Sequence, residues 1–429
     1  MRVLILGGNG FIGSEICRVL SGRGHAVTAL ARAPEKAQRR LPNIAYLCCD
    51  LRGMQAASDW AFLSNFDAVV NAAGALQDSS RDDVAAVQKG AMLALYAAAS
   101  TARIRLIIQI SARTDGPGSG REFLATKHQA DQALKQSGVA FIILRPAVVI
   151  GRNAHGGSAL LRALAAIPCR TPLIHAEAQM QFAALSDVAQ AAGDAIEGHI
   201  PTGSDLIVAA PETLSVRHAV AEHRAWLGLP PAKTVEIPAG WAQPVVWLAD
   251  LLGRLGWRSP LRSTAIEIAG GGAAVTPSLA RTAERAAAPL AATLAANPAG
   301  VQDLWFARLY LIKPLILGIL SLFWFASGAI ALLHFDQTAG LLAGAIGSRP
   351  AASALTVATS LADLLLGMAV VFRRFARPAL IGMVLLSLAY LLSATIVAPE
   401  LWADPLGPLV KVLPATMLAL VALAILDER

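Results

Sequence analysis

The chain has 429 residues, more than one compact core usually serves, so two or more domains are expected. Hydrophobic residues make up 55% of it and charged residues only 15%, which excludes a wholly soluble protein and indicates membrane-embedded segments. The net charge of +7 comes from scattered Lys and Arg, without an aromatic-basic platform or a recognition-helix motif, so nucleic acid is not an expected partner.

The chain opens with the pattern of a nucleotide-binding turn. An apolar strand at residues 3–6 leads into a glycine-rich turn, and an apolar helical stretch follows. The turn consists of Gly7, Gly8, Asn9, Gly10, Phe11, Ile12 and Gly13. In this pattern the first glycine permits the sharp bend, the second lets a pyrophosphate approach the backbone, and the third lets the helix pack on the strand. A glycine turn in some other α/β protein is the alternative, which this order of elements disfavours.

Strand and helix patterns alternate through about residue 150. The predicted strands are residues 3–6, 26–30, 44–48, 68–70, 106–110 and 141–144, and the helices between them include 14–21, 84–100 and 126–137. Strands separated by helices predict an α/β fold, a doubly wound parallel Rossmann sheet covered on both faces. Residues 151 to about 269 continue as α/β, with a strand at 206–208 and an apolar helix at 244–255, and are expected to face the substrate.

The character of the chain changes after residue 270. Glycines at 270–272 predict a flexible break, and 278–296 predict a helix. Four apolar runs follow at 314–335, 354–372, 379–397 and 406–426, each of the roughly 20 residues that span a bilayer; a soluble bundle is the alternative. The expected domains are an NAD(P)-binding Rossmann-like domain at 1–270, a linker with an amphipathic helix at 271–305, and an all-α four-helix transmembrane domain at 306–429.

Basic residues in the short flanks predict the orientation in the membrane. Arg308 and Lys313 precede the first run, and Arg373, Arg374 and Arg377 lie between the second and the third. The other two loops carry little positive charge, so both termini are expected on the cytoplasmic side of the inner membrane. Because a strand is predicted at the N-terminus, a cleaved signal peptide is not expected.

The cysteines predict neither a metal site nor a redox motif. Cys17, Cys48, Cys49 and Cys169 lack the spacing of zinc ligands or of a redox pair. They are interpreted as buried thiols in a reducing compartment.

The second predicted strand indicates which nicotinamide cofactor is bound. An acidic residue after it would bind a ribose 2′-hydroxyl, but Ala31 and Arg32 stand there. Arg32 would attract a 2′-phosphate, so NADP(H) is favoured over NAD(H); a surface arginine in a basic loop is the alternative. Residues after the third and fourth strands suit contacts with adenine and its ribose: Asp50, Leu51, Asn71, Ala72, Ala73 and Gly74.

With these residues the N-terminal part, roughly 1 to 270, resembles the short-chain dehydrogenase/reductase superfamily. It is similar to the extended and atypical branch that includes nucleoside-sugar epimerases and the accessory NADPH-binding subunit of respiratory complex I. Further matching residues are Ile110, Ser111, Lys127, Leu144, Arg145 and Pro146. From about Asp303 the chain resembles the DoxX-like four-helix membrane family, through Ala307 to Tyr310, Pro314, and Trp324 to Gly328.

The resemblance implies chemistry by a Ser, a Tyr and a Lys. The Tyr exchanges a proton with the substrate oxygen, the Lys holds the nicotinamide ribose and lowers the Tyr pKa, and the Ser polarises the carbonyl. Ser111 and Lys127 match, but the position four before the Lys is Phe123, which has no exchangeable proton. His128 should point about 100° away from Lys127 on a helix and remain solvated. Pro146 matches the place where related backbones pass the nicotinamide.

Three polar positions have less specific interpretations. Ser186 or Asp187 is predicted as a helix N-cap near the substrate cleft, with Asp187 structural before functional. Asp363 and Lys411 lie inside predicted spans, where charges are costly. The preferred interpretation pairs them with each other, and a quinone or proton site is the alternative.

Three functions fit these observations. The first is a membrane-anchored NADP(H)-dependent reductase of a small lipophilic carbonyl or quinone delivered through the lipid bilayer. The second is a non-catalytic NADPH-binding regulatory or assembly subunit of a membrane complex, which Phe123 favours. A sugar-nucleotide epimerase, the third, requires the missing Tyr.

Overall fold

The computed structural model describes residues 1–74, 83–113, 122–257, 287–405 and 407–427. The chain forms two compact units, Met1–Gly253 with Ser259–Ala307, and Arg254–Arg258 with Arg308–Arg429. The predicted break at 270–272 and the first part of the predicted helix, 278–286, lie outside the described residues.

A seven-stranded parallel sheet forms the centre of the first unit, which confirms the predicted Rossmann fold. The strands in chain order are β1 (Arg2–Leu6), β2 (Ala26–Ala31), β3 (Ala45–Cys48), β4 (Ala68–Asn71), β5 (Leu106–Ile110), β6 (Phe141–Pro146), β7 (Val148–Ile150), β8 (Arg170–Leu173), β9 (Gln179–Met180), β10 (Phe182–Ala184), β11 (Asp205–Val208), β12 (Leu214–Ser215) and β13 (Lys233–Glu236). The order in the large sheet is β11-β6-β5-β4-β1-β2-β3, with every neighbouring pair parallel. The chain reverses its direction of winding between β1 and β4, which opens a ligand crevice at the carboxyl ends of these two strands.

Helices cover both faces of this sheet. In the first unit they are α1 (Phe11–Gly22), α2 (Pro34–Gln38), α3 (Ala91–Thr101), α4 (Glu122–Gln136), α5 (Gly157–Ala165), α6 (Leu185–Ile196), α7 (Val216–Trp226), α8 (Ala239–Arg254) and α9 (Leu290–Ala295). Alternate residues of β1 enter two different cores: Val3 and Ile5 pack in the core of α1 and α6, and Leu4 and Leu6 in that of α3 and α4. A strand buried on both faces explains the uninterrupted apolar run that the sequence shows.

The chain after β6 builds a second lobe of the first unit around α5, α7 and α9. Arg162 is fully buried there, 4.6 Å from the centre of the Trp226 ring and 3.2 Å from Asp303 Oδ1. Trp226 Nε1 donates to Asn297 O at 2.7 Å, so residues 287–304 are fixed on this lobe by side chains of α5 and α7.

The predicted N-cap at Ser186 or Asp187 is wrong. Helix α6 begins at Leu185, and its N-cap, two residues before Ser186, is Ala184, whose side chain makes no capping hydrogen bond. Strand β10 runs directly into the helix, so no polar residue was needed at the junction. Asp187 Oδ2 instead accepts a hydrogen bond from Ala288 N at 2.7 Å, a structural role.

The second unit is helical. Its helices are α10 (Val301–Leu333), which begins in the first unit, α11 (Phe335–Ile346), α12 (Arg349–Ala369), α13 (Ala376–Val397) and α14 (Pro408–Ala424). Three of them, α10, α12 and α13, are long and apolar enough to cross a membrane. The fourth predicted run gives the shorter α14, because Gly407 adopts a left-handed conformation (φ +57°) immediately before it and the helix ends at Ala424.

The cysteines are free, but they are not all buried. Cys17 lies in the core below the glycine turn, whereas Cys48 and Cys169 are exposed. The prediction of buried thiols is therefore wrong for these two. Cys48 ends strand β3, which forms one edge of the sheet, where a side chain is covered less than in the central strands.

Candidate nucleotide site and its buried charge network

The glycine turn connects β1 to α1 in a conformation that requires glycine. Gly7 has φ +70°, and a Cβ on it would lie 2.9 Å from Ala72 O and from Ala73 N. A Cβ on Gly13 would collide with the carbonyl of Gly7. The turn therefore packs backbone to backbone against the segment after β4, and α1 packs directly on the turn.

The outer side of the turn suits a diphosphate. Asn9 and Gly10 are exposed, and a Cβ on Gly10 would meet only Gly7 O, at 3.0 Å, within the turn itself. Gly10 is the N-cap of α1 and supplies no side chain, so the first N–H groups of a 12-residue helix remain available to an anion. These features fit the pyrophosphate of a dinucleotide.

The residues predicted to contact the nucleotide follow the carboxyl ends of neighbouring parallel strands. Arg32 is exposed directly after β2, the neighbour of β1. Asp50 follows β3 and caps a short 3₁₀ turn, Leu51–Gly53, and its carboxylate also binds the Arg52 guanidinium at 2.6 Å. The hydrogen bond from Arg52 lowers the pKa of Asp50. This carboxylate is thus already occupied by Arg52.

Asn71 differs from its neighbours in the segment after β4. It is buried, its amide donates to Gln109 Oε1 at 2.8 Å, and its Oδ1 accepts from Ala73 N at 3.0 Å. Asn71 therefore shapes the loop from Ala72 to Gly74 from inside the protein. Only that loop, and not Asn71, is left to face a nucleotide.

Lys127, for which the family resemblance implies a ribose-binding role, lies at the carboxyl ends of β4 and β5. Its Nζ donates to Ile110 O at 3.0 Å, and a Cβ on Gly74 would lie 3.7 Å from it. The centre of the Phe123 ring is 5.9 Å from the same Nζ, so the position of the missing Tyr does adjoin this lysine. His128 is exposed, in agreement with its predicted orientation.

A buried carboxylate connects Lys127 to the other site residues. Asp131, one helical turn after Lys127, is 1% exposed and accepts a hydrogen bond from Ser111 Oγ at 2.6 Å. Arg145 Nη1 lies 2.9 Å from the same Asp131 oxygen, and Arg145 also binds Asp205 through Nε and Nη2, at 2.6 and 3.0 Å. Asp131 Oδ1 is buried and has no hydrogen-bond partner among the described residues.

Burial and the neighbouring opposite charges shift the pKa values in this network in opposite directions. Burial lowers the pKa of Lys127 to about 8, with the attraction of Asp131 opposing the change. Burial also raises the pKa of Asp131, although the Ser111 hydrogen bond and the charges of Arg145 and Lys127 act in the other direction. Perturbed groups of this kind, collected beside a ligand crevice, are typical of functional sites.

The lysine predicts a pH dependence of stability. The folded pKa of about 8 lies below the ordinary 10.5, so between these values the unfolded chain binds more protons and the free energy of unfolding should rise with pH. The slope is up to about 1.4 kcal/mol per pH unit. We expect the melting temperature of the wild type to rise relative to that of Lys127→Met as the pH increases from about 8 to about 10.5. If the melting temperatures of the two proteins changed in parallel with pH, that would contradict a lowered pKa of Lys127 in the folded protein.

Sequence reasoning missed two residues of the site. Asp131 could have been found, because it lies four residues after Lys127 and hence on the same helix face. Gln88 could not: it is buried in a π-helical turn, Ala86–Gly90, and accepts a hydrogen bond from Thr126 Oγ1 at 3.1 Å. Its Nε2 would lie 3.5 Å from a Cβ on Gly74. Single π turns are rare and frequent at functional sites.

The second unit has its own polar cluster, and it is not the predicted one. Asp363 of α12 accepts hydrogen bonds from Ser327 Oγ at 2.9 Å and from Tyr390 Oη at 2.8 Å. Lys411 is exposed on α14. The predicted pairing of Asp363 with Lys411 is therefore wrong, because hydroxyl groups of α10 and α13 already satisfy both carboxylate oxygens.

Close packing of α10 on α12 places this cluster. A Cβ on Gly367 would lie 2.7 Å from Phe325 N, and one on Gly328 would lie 3.1 Å from Asp363 Cβ. Ser321 Oγ donates to Gly367 O at 2.7 Å. Small residues of this kind allow membrane helices to touch through their backbones.

Comparisons with known proteins agree with the division of the chain into two units. Residues 7–164 match the sequence model of the NAD(P)H-binding family, and residues 321–420 match that of the DoxX-like family. None of the curated proteins matches the chain.

Solved structures share the fold of the first unit. The Bordetella bronchiseptica enzyme WbmH, in complex with NAD+, is 16% identical, with a TM-score of 0.50 over 72% of this chain and 98% of its own. The protein gox2253 is 19% identical, with a TM-score of 0.52 over 71% of this chain and 98% of its own.

The fold and the family matches define a nicotinamide-cofactor-binding protein with a membrane-integrated part. More specifically, the chain joins a region that matches the NAD(P)H-binding family to a C-terminal region that matches the DoxX-like family.

Proposed function

We propose that this protein binds NADP(H) and reduces a small lipophilic carbonyl or quinone that reaches it through the bilayer. The observation that carries the proposal is the buried Lys127 ammonium beside Gly74, at the same ends of the strands as the glycine turn. A lysine in this position can hold the ribose hydroxyls of the nicotinamide half while the turn holds the pyrophosphate. The site residues of the proposal are the turn, the loop from Ala72 to Gly74, Ser111, Lys127 and Pro146.

The chemistry must proceed without the usual proton donor. When bound, the nicotinamide supplies a hydride, and the acceptor oxygen then takes a proton from water. Hydride addition to a ketone leaves a strongly basic alkoxide, whereas addition to a quinone leaves a phenolate-like anion, whose conjugate acid has a pKa of about 10. The absence of a general acid at position 123 therefore slows quinone reduction less than ketone reduction, which supports a quinone as the acceptor.

Arg32 supports NADP(H) rather than NAD(H), because its guanidinium can pair with a 2′-phosphate. We expect Arg32→Ala to weaken NADPH binding by about 10- to 100-fold, the loss of one charge-assisted contact, and to leave NADH binding unchanged. Calorimetry on the purified full-length protein with each nucleotide measures both. Arg39→Ala, at an exposed arginine that follows α2, is the control. An equal loss for both nucleotides would contradict the assignment.

Phe123 also supports a second candidate, a non-catalytic NADPH-binding subunit of a membrane complex. A phenyl ring keeps the packing beside Lys127 and removes the proton that the superfamily's chemistry needs. In this case the nucleotide would stabilise the first unit, and the second would contact a membrane partner. Both candidates place the termini in the cytoplasm, as the basic residues between α12 and α13 favour.

The variant Phe123→Tyr separates the two candidates. If the protein is a reductase, a phenol beside Lys127 should raise NADPH-dependent reduction of a lipophilic ketone by about 10²-fold or more, since general acids contribute on this scale. The assay follows NADPH oxidation by the full-length protein in lipid nanodiscs, with a ketone and a quinone as acceptors. Phe123→Leu should show no gain. Unchanged NADPH binding with no turnover of either acceptor, in wild type and variant, would exclude the reductase.

A further inference from the structure

Helix α8 exposes most of its larger apolar side chains. Trp241 is 82% exposed, Val245 53% and Leu248 49%, and all three lie on one face at helical spacing. Trp247 and Leu251, 67% and 39% exposed, widen this face on one side. A helix on the surface of a soluble domain normally turns such a face to the core.

The opposite face of α8 is the one that packs, and it is built from small residues. Ala249 and Gly253 are its buried residues, and Ala242 and Val246 between the same turns are half-buried. The helix is therefore held by its smaller residues. The described residues leave two tryptophans and three aliphatic side chains uncovered. Contiguous exposed apolar surfaces of this kind mark sites of interaction with a partner or a membrane.

The residues that follow α8 are fixed at the ends of the membrane helices. Arg373 N donates to Leu255 O at 3.1 Å, and Trp257 Nε1 donates to Val371 O at 2.6 Å. The Trp257 ring also lies 5.9 Å from Lys313 Nζ and 5.5 Å from the Arg373 guanidinium carbon. Tryptophan with Lys and Arg at the end of a span is the composition of the headgroup region.

Chain continuity therefore ties α8 to that region, because Leu255 directly follows the last residue of the helix. We propose that the exposed face of α8, defined by Trp241, Val245, Trp247, Leu248 and Leu251, lies in the lipid bilayer at the boundary of headgroups and hydrocarbon. The helix is an in-plane amphipathic anchor, additional to the spans. Indole rings on its apolar side and arginine at its C-terminal end fit this location.

A spin-label scan of the full-length protein tests the assignment. In a background with the exposed Cys48 and Cys169 and the half-buried Cys49 replaced by serine, single cysteines replace Trp241, Val245 or Leu248, and each is labelled with a nitroxide. The matched control is Gln243→Cys, which is exposed on the same helix outside the apolar face. Each protein is placed at one copy per nanodisc of mixed phosphatidylcholine and phosphatidylglycerol, and NADPH-dependent thermal stabilisation confirms folding.

The accessibility of each label to oxygen and to a nickel chelate gives three distinguishable results. We expect labels at 241, 245 and 248 to favour oxygen by several-fold over the chelate, and the label at 243 to favour the chelate. Labels on the apolar face that favour the chelate would show that it is in water and overturn the proposal. Low accessibility to both reagents would show that protein covers the face, which also overturns it.

Discussion

Replacing Gly13 with alanine is expected to weaken nucleotide binding by at least about tenfold and to destabilise the first unit. The added Cβ would meet the Gly7 carbonyl and would lie 3.0 Å from Gly8 Cα, and both are backbone atoms that cannot move aside like a flexible side chain. Helix α1 must shift, which costs about 1–3 kcal/mol, and its N–H groups leave the position that fits a pyrophosphate. Calorimetry with NADPH and a melting curve of the full-length protein measure the two effects.

Gly22→Ala is the matched control for that substitution. Gly22 lies in the last turn of the same helix, and a Cβ on it would meet nothing within 4 Å. We expect nucleotide affinity to be unchanged and stability to be unchanged or raised by up to about 1 kcal/mol. If the two alanines had the same effect, the close packing of α1 on the turn would not be what supports binding.

Asp131→Asn is expected to destabilise the first unit by about 3 kcal/mol or more. The substitution removes the buried negative charge that accepts from the Ser111 hydroxyl and pairs with Arg145. It also leaves the buried ammonium of Lys127 without the attraction of Asp131. Breaking one side of a buried ion pair typically costs about 3–5 kcal/mol. For a unit of this size the melting temperature should fall by roughly 10 °C.

The control for Asp131 is an ion pair on the surface. Glu177 and Arg217 lie 2.7 Å apart with side chains 66% and 44% exposed, and such pairs contribute about 1 kcal/mol or less. Glu177→Gln should therefore leave the melting temperature nearly unchanged. A small effect of Asp131→Asn, equal to that of Glu177→Gln, would mean that Asp131 is not charged in the folded protein.

The fold was predictable from sequence because strands buried on both faces leave a strong local signal. The apolar runs around Ile5, Val69 and Ile108 each produced a strand of the parallel sheet at or within one or two residues of its predicted bounds. The glycine turn was recognisable because it depends on residue types at fixed local spacing, whereas the role of Lys127 stays a prediction from the family resemblance. Membrane helices were recognised by composition, although a left-handed glycine before α14 made the fourth one shorter.

Features that depend on long-range packing were not predictable. No local pattern shows that Asn71 points inwards to Gln109, or that Asp363 meets Ser327 and Tyr390 rather than Lys411. Apolar residues lie on both the exposed and the packed side of α8, so its orientation required the structure. Each of these hydrogen bonds joins residues more than 25 positions apart in the chain.

The π turn that contains Gln88 has a consequence for the rest of its helix. A turn that accommodates one additional residue rotates everything after it by about 100° relative to an uninterrupted α-helix. Met92, Leu95 and Ala99 follow the π turn and lie in the core. The widened turn thus lets one continuous helix point the Gln88 amide to the crevice and the apolar residues after it to the sheet. In a regular helix of the same sequence, residues four and seven positions after Gln88 would lie on the same face as the amide.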